Sequence, residues 1–165
     1  MSRKPTGSHR NGPPRQRQLQ PKQKDPYLSR AKSAATLVCD ACGVIGHAGR
    51  WLWMDPPATD VERGLCPACQ RIRDRCPAGT LRVPNGALAG RDELVEALRS
   101  VEAAEMREHP LERILAIDVD GDALVITTTG QHIARCLSAR LERRLHQKPK
   151  VHYGNDGDMR VEWAG

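Results

Sequence analysis

No stretch of this sequence approaches the roughly 18 apolar residues of a membrane-spanning helix. The basic residues near the N-terminus are not followed by the apolar core of a secretory signal either. The expectation is therefore a cytoplasmic chain with no membrane partner. No unit of about 20 to 50 residues recurs, which excludes a solenoid or propeller. Also missing are the phosphate-binding G-x-x-x-x-G-K-[ST] loop, the dinucleotide G-x-G-x-x-G, the G-x-S-x-G elbow and the H-E-x-x-H pair. Without an assembled catalytic motif or an evident small-molecule substrate, the chain reads as a non-enzyme. Its 165 residues exclude two large cores but suit a small finger joined to a compact module.

Apolar periodicity is also lacking in residues 1–33, which are rich in Pro, Gln, Gly and Ser. Up to residue 32 they hold nine Lys and Arg against Asp25, a net +8, which leaves −2 for the rest of a chain whose total is +6. Such a segment cannot bury enough surface to offset the entropy of ordering and reads as a disordered basic tail. A cationic arm of this kind is drawn to polyanions by counterion release, with little sequence selectivity. Nucleic acid is the partner this suggests, and a merely solubilising tail is the alternative.

What the sequence does contain is two paired cysteines, Cys39-Asp40-Ala41-Cys42 and Cys66-Pro67-Ala68-Cys69, separated by 23 residues. Two thiolates in a C-x-x-C turn can face one metal, and Gly43 suits the left-handed conformation that such a knuckle needs. Four thiolates match a closed tetrahedral site, so Cys39, Cys42, Cys66 and Cys69 are assigned to one structural zinc ion. Residues 34–78 then form a finger. Arg50-Trp51-Leu52-Trp53 alternates as a strand with Trp51 and Trp53 on one face, Asp55-Pro56-Pro57 breaks it, and Gln70 to Arg75 reads as a short helix. Knuckle, hairpin and helix describe a treble clef, with a zinc ribbon as the alternative. His47 reads as an exposed loop residue.

Arg71, Arg73 and Arg75 place cations beside the metal, and Trp51 and Trp53 supply rings on which a base can stack. Together they are candidate RNA contacts. The competing reading is that the tryptophans pack the finger against its neighbour while the arginines offset the charge of the zinc thiolates.

Residues 79–165 read as a second module. Thr80 to Val83 is a short strand. Arg91 to Glu108 is a helix with Leu94, Leu98 and Val101 on one stripe, stopped by His109-Pro110. Ile114 to Ile126 is a hairpin turning at Asp120-Gly121, and Ile133, Leu137, Leu141 and Leu145 line a second helix. A last hairpin joins residues 151–153 and 159–163. The order β-α-β-β-α-β-β gives an α+β fold with ferredoxin-like alternation, an antiparallel sheet under two helices with one added edge strand. Thr128, Thr129 and His132 stand at the start of the second helix, where free amides can bind an anion. An enzyme acting on a phosphate-bearing substrate there is the third functional reading, and simple capping is the plain alternative. Cys76 and Cys136 lack a C-x-x-C partner and read as buried or idle thiols rather than ligands.

Several of these segments together resemble a family of short bacterial zinc-finger proteins. The resemblance lies in the two C-x-x-C pairs, Gly49-Arg50-Trp51-Leu52-Trp53, Gln70-Arg71-Ile72-Arg73-Asp74, His109-Pro110-Leu111-Glu112-Arg113-Ile114, the stretch Ile126 to Arg135 and Arg160-Val161-Glu162-Trp163. It covers roughly residues 25 to 163. More distantly, the layout is similar to the N-terminal zinc-binding part of the archaeal and eukaryotic adaptor for export of the large ribosomal subunit. That similarity implies docking on ribosomal RNA. The expected function is thus RNA binding on the ribosome, and the alternative is a protein-interaction module using the finger and a sheet edge.

Overall fold

A short branched strand precedes each C-x-x-C pair, and the two strands lie side by side. The computed structural model describes residues 25–28, 36–58, 61–84, 90–154 and 157–164. In it β1 (Thr36–Cys39) and β4 (Val61–Gly64) run parallel and deliver the first and second knuckle to the same end of one sheet. On the other side of β1 lies β2 (Ile45–His47), followed by β3 (Arg50–Leu52), both antiparallel, so the strand order is β3-β2-β1-β4. Ala48 and Gly49 close the β2–β3 hairpin with φ of 48° and 78°. Two successive positive values make the type I′ turn that matches strand twist. Helix α1 (Pro67–Asp74) starts within the second knuckle: Cys66 is its N-cap and Pro67 occupies the first turn, where no amide is needed. Arg75, left-handed at φ 49°, ends it. Knuckle, hairpin and helix thus follow in the order of a treble clef.

The expected disordered tail, residues 1–33, falls outside the described residues except for 25–28. Those four are docked on α1 through Asp25 and Tyr27.

Beyond α1 come β5 (Gly79–Pro84), α2 (Arg91–Glu108), β6 (Ile114–Asp120), β7 (Ala123–Thr128), α3 (Gln131–Leu145), β8 (Lys150–Tyr153) and β9 (Met159–Glu162). This is the β-α-β-β-α-β-β order anticipated from sequence. The sheet order is β6-β7-β5-β9-β8. The last strand is not the added edge: β9 sits beside β5 and parallel to it, and β8 takes the edge, antiparallel to β9. The sheet is therefore mixed rather than wholly antiparallel. Burial explains the exchange. Met159 and Val161 of β9 and the following Trp163 are buried, whereas all four residues of β8 are exposed and two of them, Lys150 and His152, suit a solvated edge.

Both helices cover one face of this sheet. Leu94 and Leu98 of α2 and Ile133, Leu137 and Leu141 of α3 pack on Leu81, Val83, Leu124, Ile126 and Val161, all with at most 1% exposure. Each such side chain contributes about 1.5–3 kcal/mol relative to exposure. Close approach of β5 to α3 requires Gly79, where an added Cβ would lie 2.7 Å from the Ala134 methyl. The helices run antiparallel: Arg144 reaches Glu93 at the start of α2, and His132 at the start of α3 meets Glu105 near the end of α2. No helix among the described residues is long and apolar enough to cross a membrane.

Candidate metal centre and its surroundings

The parallel pair β1 and β4 brings Cys39, Cys42, Cys66 and Cys69 together, with all four sulfurs within 4.8 Å of one another. Cys42 Sγ and Cys66 Sγ are 3.8 Å apart. Ligands at 2.3 Å in a tetrahedron are separated by about 3.8 Å, so the spacing fits zinc. These four cysteines form a single zinc site. It is a closed one, because four thiolates fill the coordination shell and leave no position for a substrate.

Backbone donors prepare the sulfurs. Cys66 N donates to Cys39 Sγ at 3.3 Å and Cys69 N to Cys66 Sγ at 3.4 Å. Burial opposes ionisation of Cys39, but the amides of Cys66, Cys42 and Ala41 outweigh it and bring the thiol down to about 7. At Cys69 burial pushes the thiol up to about 11, with the neighbouring charges of Cys42 and Cys39 adding to it. Burial also raises Cys66, the N-cap of α1. A divalent cation at the centre removes this mutual repulsion, which is why metal binding and folding of such a segment are one free energy.

The cation beside the thiolates is not one of the three arginines singled out from sequence. It is Arg113, the residue just before β6 in the other module, with Nη1 3.6 Å from Cys69 Sγ and Nε donating to Pro110 O at 3.1 Å. Burial works against its charge, yet the thiolates of Cys42, Cys69 and Cys66 hold the guanidinium above its ordinary value. Its buried Nη2 has no hydrogen-bond partner among the described residues, so attraction to the sulfurs is what offsets the loss of water there. Leu111 packs against the same cysteine cluster. Nothing in the spacing connects Cys69 with Arg113, 44 residues later.

The other sequence-selected residues separate. Arg71 is 8% exposed. Its guanidinium pairs with Asp25 at 2.7 Å, donates to Cys76 O at 3.0 Å and lies 4.4 Å from the centre of the Tyr27 ring. It holds residues 25–28 on the finger and is not available to a phosphate. Arg73 is exposed and paired with Asp74 at 2.7 Å, and Arg75 is exposed at the helix end.

The tryptophans do not share a strand face, because β3 ends at Leu52. Trp51 packs into the cysteine cluster with its ring over Gly46, where an added Cβ would stand 3.0 Å from the indole. Trp53 leaves the finger and donates from Nε1 to Met106 O in the last turn of α2 at 2.7 Å. That bond fills a carbonyl without a helical partner and ties the finger to the second module. His47 lies in β2, not in a loop, and bonds Thr36 Oγ1 through Nδ1 at 2.8 Å.

At the start of α3 the expected anion site is filled from within the protein. Glu112 Oε2 accepts from Ile133 N at 2.9 Å, and its carboxylate occupies the space a side chain at Gly130 would need. Thr128 Oγ1 donates to Gly130 O at 2.9 Å and Thr129 Oγ1 to Leu111 O at 2.6 Å, so both buried hydroxyls are structural. His132 turns away from the helix end toward Glu105, at 2.8 Å. No exogenous anion is needed there.

Compared with protein-family models, curated proteins and solved structures, the chain shows no match.

Proposed function

We propose that this protein is a non-enzymatic, cytoplasmic zinc protein that binds RNA, with the ribosome as its site of action. The observation that carries the reading is a basic surface at the end of α3 and along β8. From Arg140 to His152 the chain holds Arg140, Arg143, Arg144, Lys148 and Lys150 with His146 and His152, against one acid, Glu142. Every one of those cations is exposed. Arg144 is partly engaged by Glu93, but Arg143, His146 and Lys148 line one shallow depression. Tyr153 stands at the same edge, 45% exposed, as a ring for stacking. The basic residues of the first 32 positions add phosphate contacts without selectivity.

This surface replaces the finger helix as the favoured RNA contact, since Arg71 and Trp51 are consumed by packing. The choice of ribosomal RNA rests on the family resemblance of the sequence. Cosedimentation with ribosomes and binding of purified ribosomal RNA across a salt series test the reading. Replacing Arg140, Arg143 and Lys148 by Glu is expected to abolish binding at moderate salt. Neutralising one of these cations should flatten the salt slope by about 0.7–0.9. Wild-type binding by the triple variant, or no RNA binding by the native chain at low salt, refutes it.

A second reading has its own observation. Among the described residues β8 is the edge of its sheet, with Val151 and Tyr153 exposed and one row of backbone groups unpaired by β9, so a partner protein can add a strand there. A partner retained after nuclease treatment, and lost on Val151→Pro, favours this reading over RNA.

A further inference from the structure

Two pairs of side chains, each spaced four residues apart, meet where α2 ends and α3 begins. Residues four apart share a helix face. Glu105 and His109 present one such pair, with His109 N–H closing the last turn on Glu105 O at 2.8 Å. His132 and Cys136 present the other in the first turns of α3. Antiparallel packing of the helices aims the two pairs at each other. The donor atoms of Glu105, His109 and His132 all lie within 4.8 Å of one another. The imidazoles of His109 and His132 meet edge to face with centroids 4.8 Å apart, and Cys136 Sγ is 3.8 Å from His132 Nε2.

We propose that Glu105, His109 and His132 form a second metal site, for a divalent first-row transition ion such as zinc, distinct from the four-cysteine centre and created by packing of α2 on α3. Two imidazoles and a carboxylate are the donors that zinc, nickel and copper favour, whereas calcium and magnesium take oxygen alone. A simple ion pair would need only His132 and Glu105. The inward turn of His109 onto the same point is what an ion explains, because two imidazoles brought together repel when protonated and share an ion when neutral. The negative end of the α2 dipole adds to the attraction for a cation.

The geometry needs little adjustment. Nitrogen and oxygen ligands at 2.0–2.1 Å sit about 3.4 Å apart in a tetrahedron, so the Glu105–His132 contact of 2.8 Å opens by about half an ångström while His109 closes in. Both groups have room to move, their side chains being 47% exposed for His132 and 26% for Glu105. Three protein ligands leave a fourth position free, beside the Cys136 thiol. His109 and His132 are both exposed, so an ion held here is reached from solvent.

The test is metal stoichiometry of the full-length reduced chain in equilibrium dialysis against buffered free zinc, read together with the imidazole NMR signals. Native protein is expected to bind two zinc ions, the second shifting the ring signals of His109 and His132. His109→Ala/His132→Ala is expected to bind one, with the cysteine centre and the near-ultraviolet spectrum unchanged. Glu105→Gln, which keeps a hydrogen bond to His132, should weaken the second ion alone. One zinc per native chain at saturation overturns the proposal, as does a second zinc that survives in the double variant. Because the readout is metal content, failure of this site leaves the RNA reading untouched, and failure of RNA binding leaves the metal site standing.

Discussion

Arg113 Nη1 lies 3.6 Å from Cys69 Sγ, so a cation from the second module completes the electrostatics of the zinc centre in the first. A tetrathiolate carries two negative charges beyond those of the metal. Placing that excess in a buried site is tolerable only with a positive group nearby. The two parts of the chain are thereby coupled through one side chain.

Arg113→Met keeps the volume and removes the charge. Zinc affinity should fall about 10- to 100-fold, as for other groups that touch metal ligands, and competition with a chromophoric chelator measures it. Arg113→Lys should lose less, since the charge survives.

Metal removal should unfold the finger and spare the second core. With a strong chelator, amide protection is expected to vanish at Val38, Val44 and Ile45 while persisting at Leu81, Ile126 and Val161, where fourteen buried residues form a separate cluster. Cys66→Ser should reproduce this pattern without chelator, because Cys66 is both ligand and N-cap of α1. Hydrogen exchange resolves the two regions, and uniform protection after zinc loss would contradict the structural role of the ion.

Trp53→Phe deletes the hydrogen bond to Met106 O while keeping most of the ring. A loss of about 0.5–1.5 kcal/mol in the unfolding free energy of the finger is expected, with the α2 core unaffected. Trp53→Ala should cost more, since the ring, 43% exposed and so more than half covered, is lost as well.

Glu112→Ala should destabilise α3 by about 0.5–2 kcal/mol, the range for loss of an N-terminal cap, because Ile133 N loses its acceptor. Gly130→Ala should do at least as much, its methyl group occupying the place of the Glu112 carboxylate. The double variant should be less destabilised than the two single changes combined, since both act through the same carboxylate. Denaturant titration of the four proteins gives the coupling.

The zinc ligands and the order of elements were legible in the chain because each is written locally. A C-x-x-C turn, the helical stripe of Leu94 and Leu98, and the Asp120-Gly121 turn depend on neighbours a few residues away. Residues 91–108 form the helix that their composition announces, ending where His109-Pro110 ends it. Strand neighbours were not legible. The choice of β9 over β8 beside β5 is settled by which hairpin arm buries its apolar side, and both arms are short enough to fit either place.

The roles of individual charged residues also came from the tertiary structure alone. Arg71 and Arg113 are the same residue type, yet one is fixed on Asp25 and the other faces the thiolates, since ion pairing follows proximity in space and not spacing along the chain. From sequence, His132 stands at a helix end open to an anion or to simple capping; in the fold Glu112 caps that end and Glu105 claims the imidazole. Sequence by itself determined which residues could bind metal in the finger. Only packing of α2 on α3 determined that a second set of donors meets, because residues 105, 109 and 132 become neighbours only when two apolar helix faces are buried together.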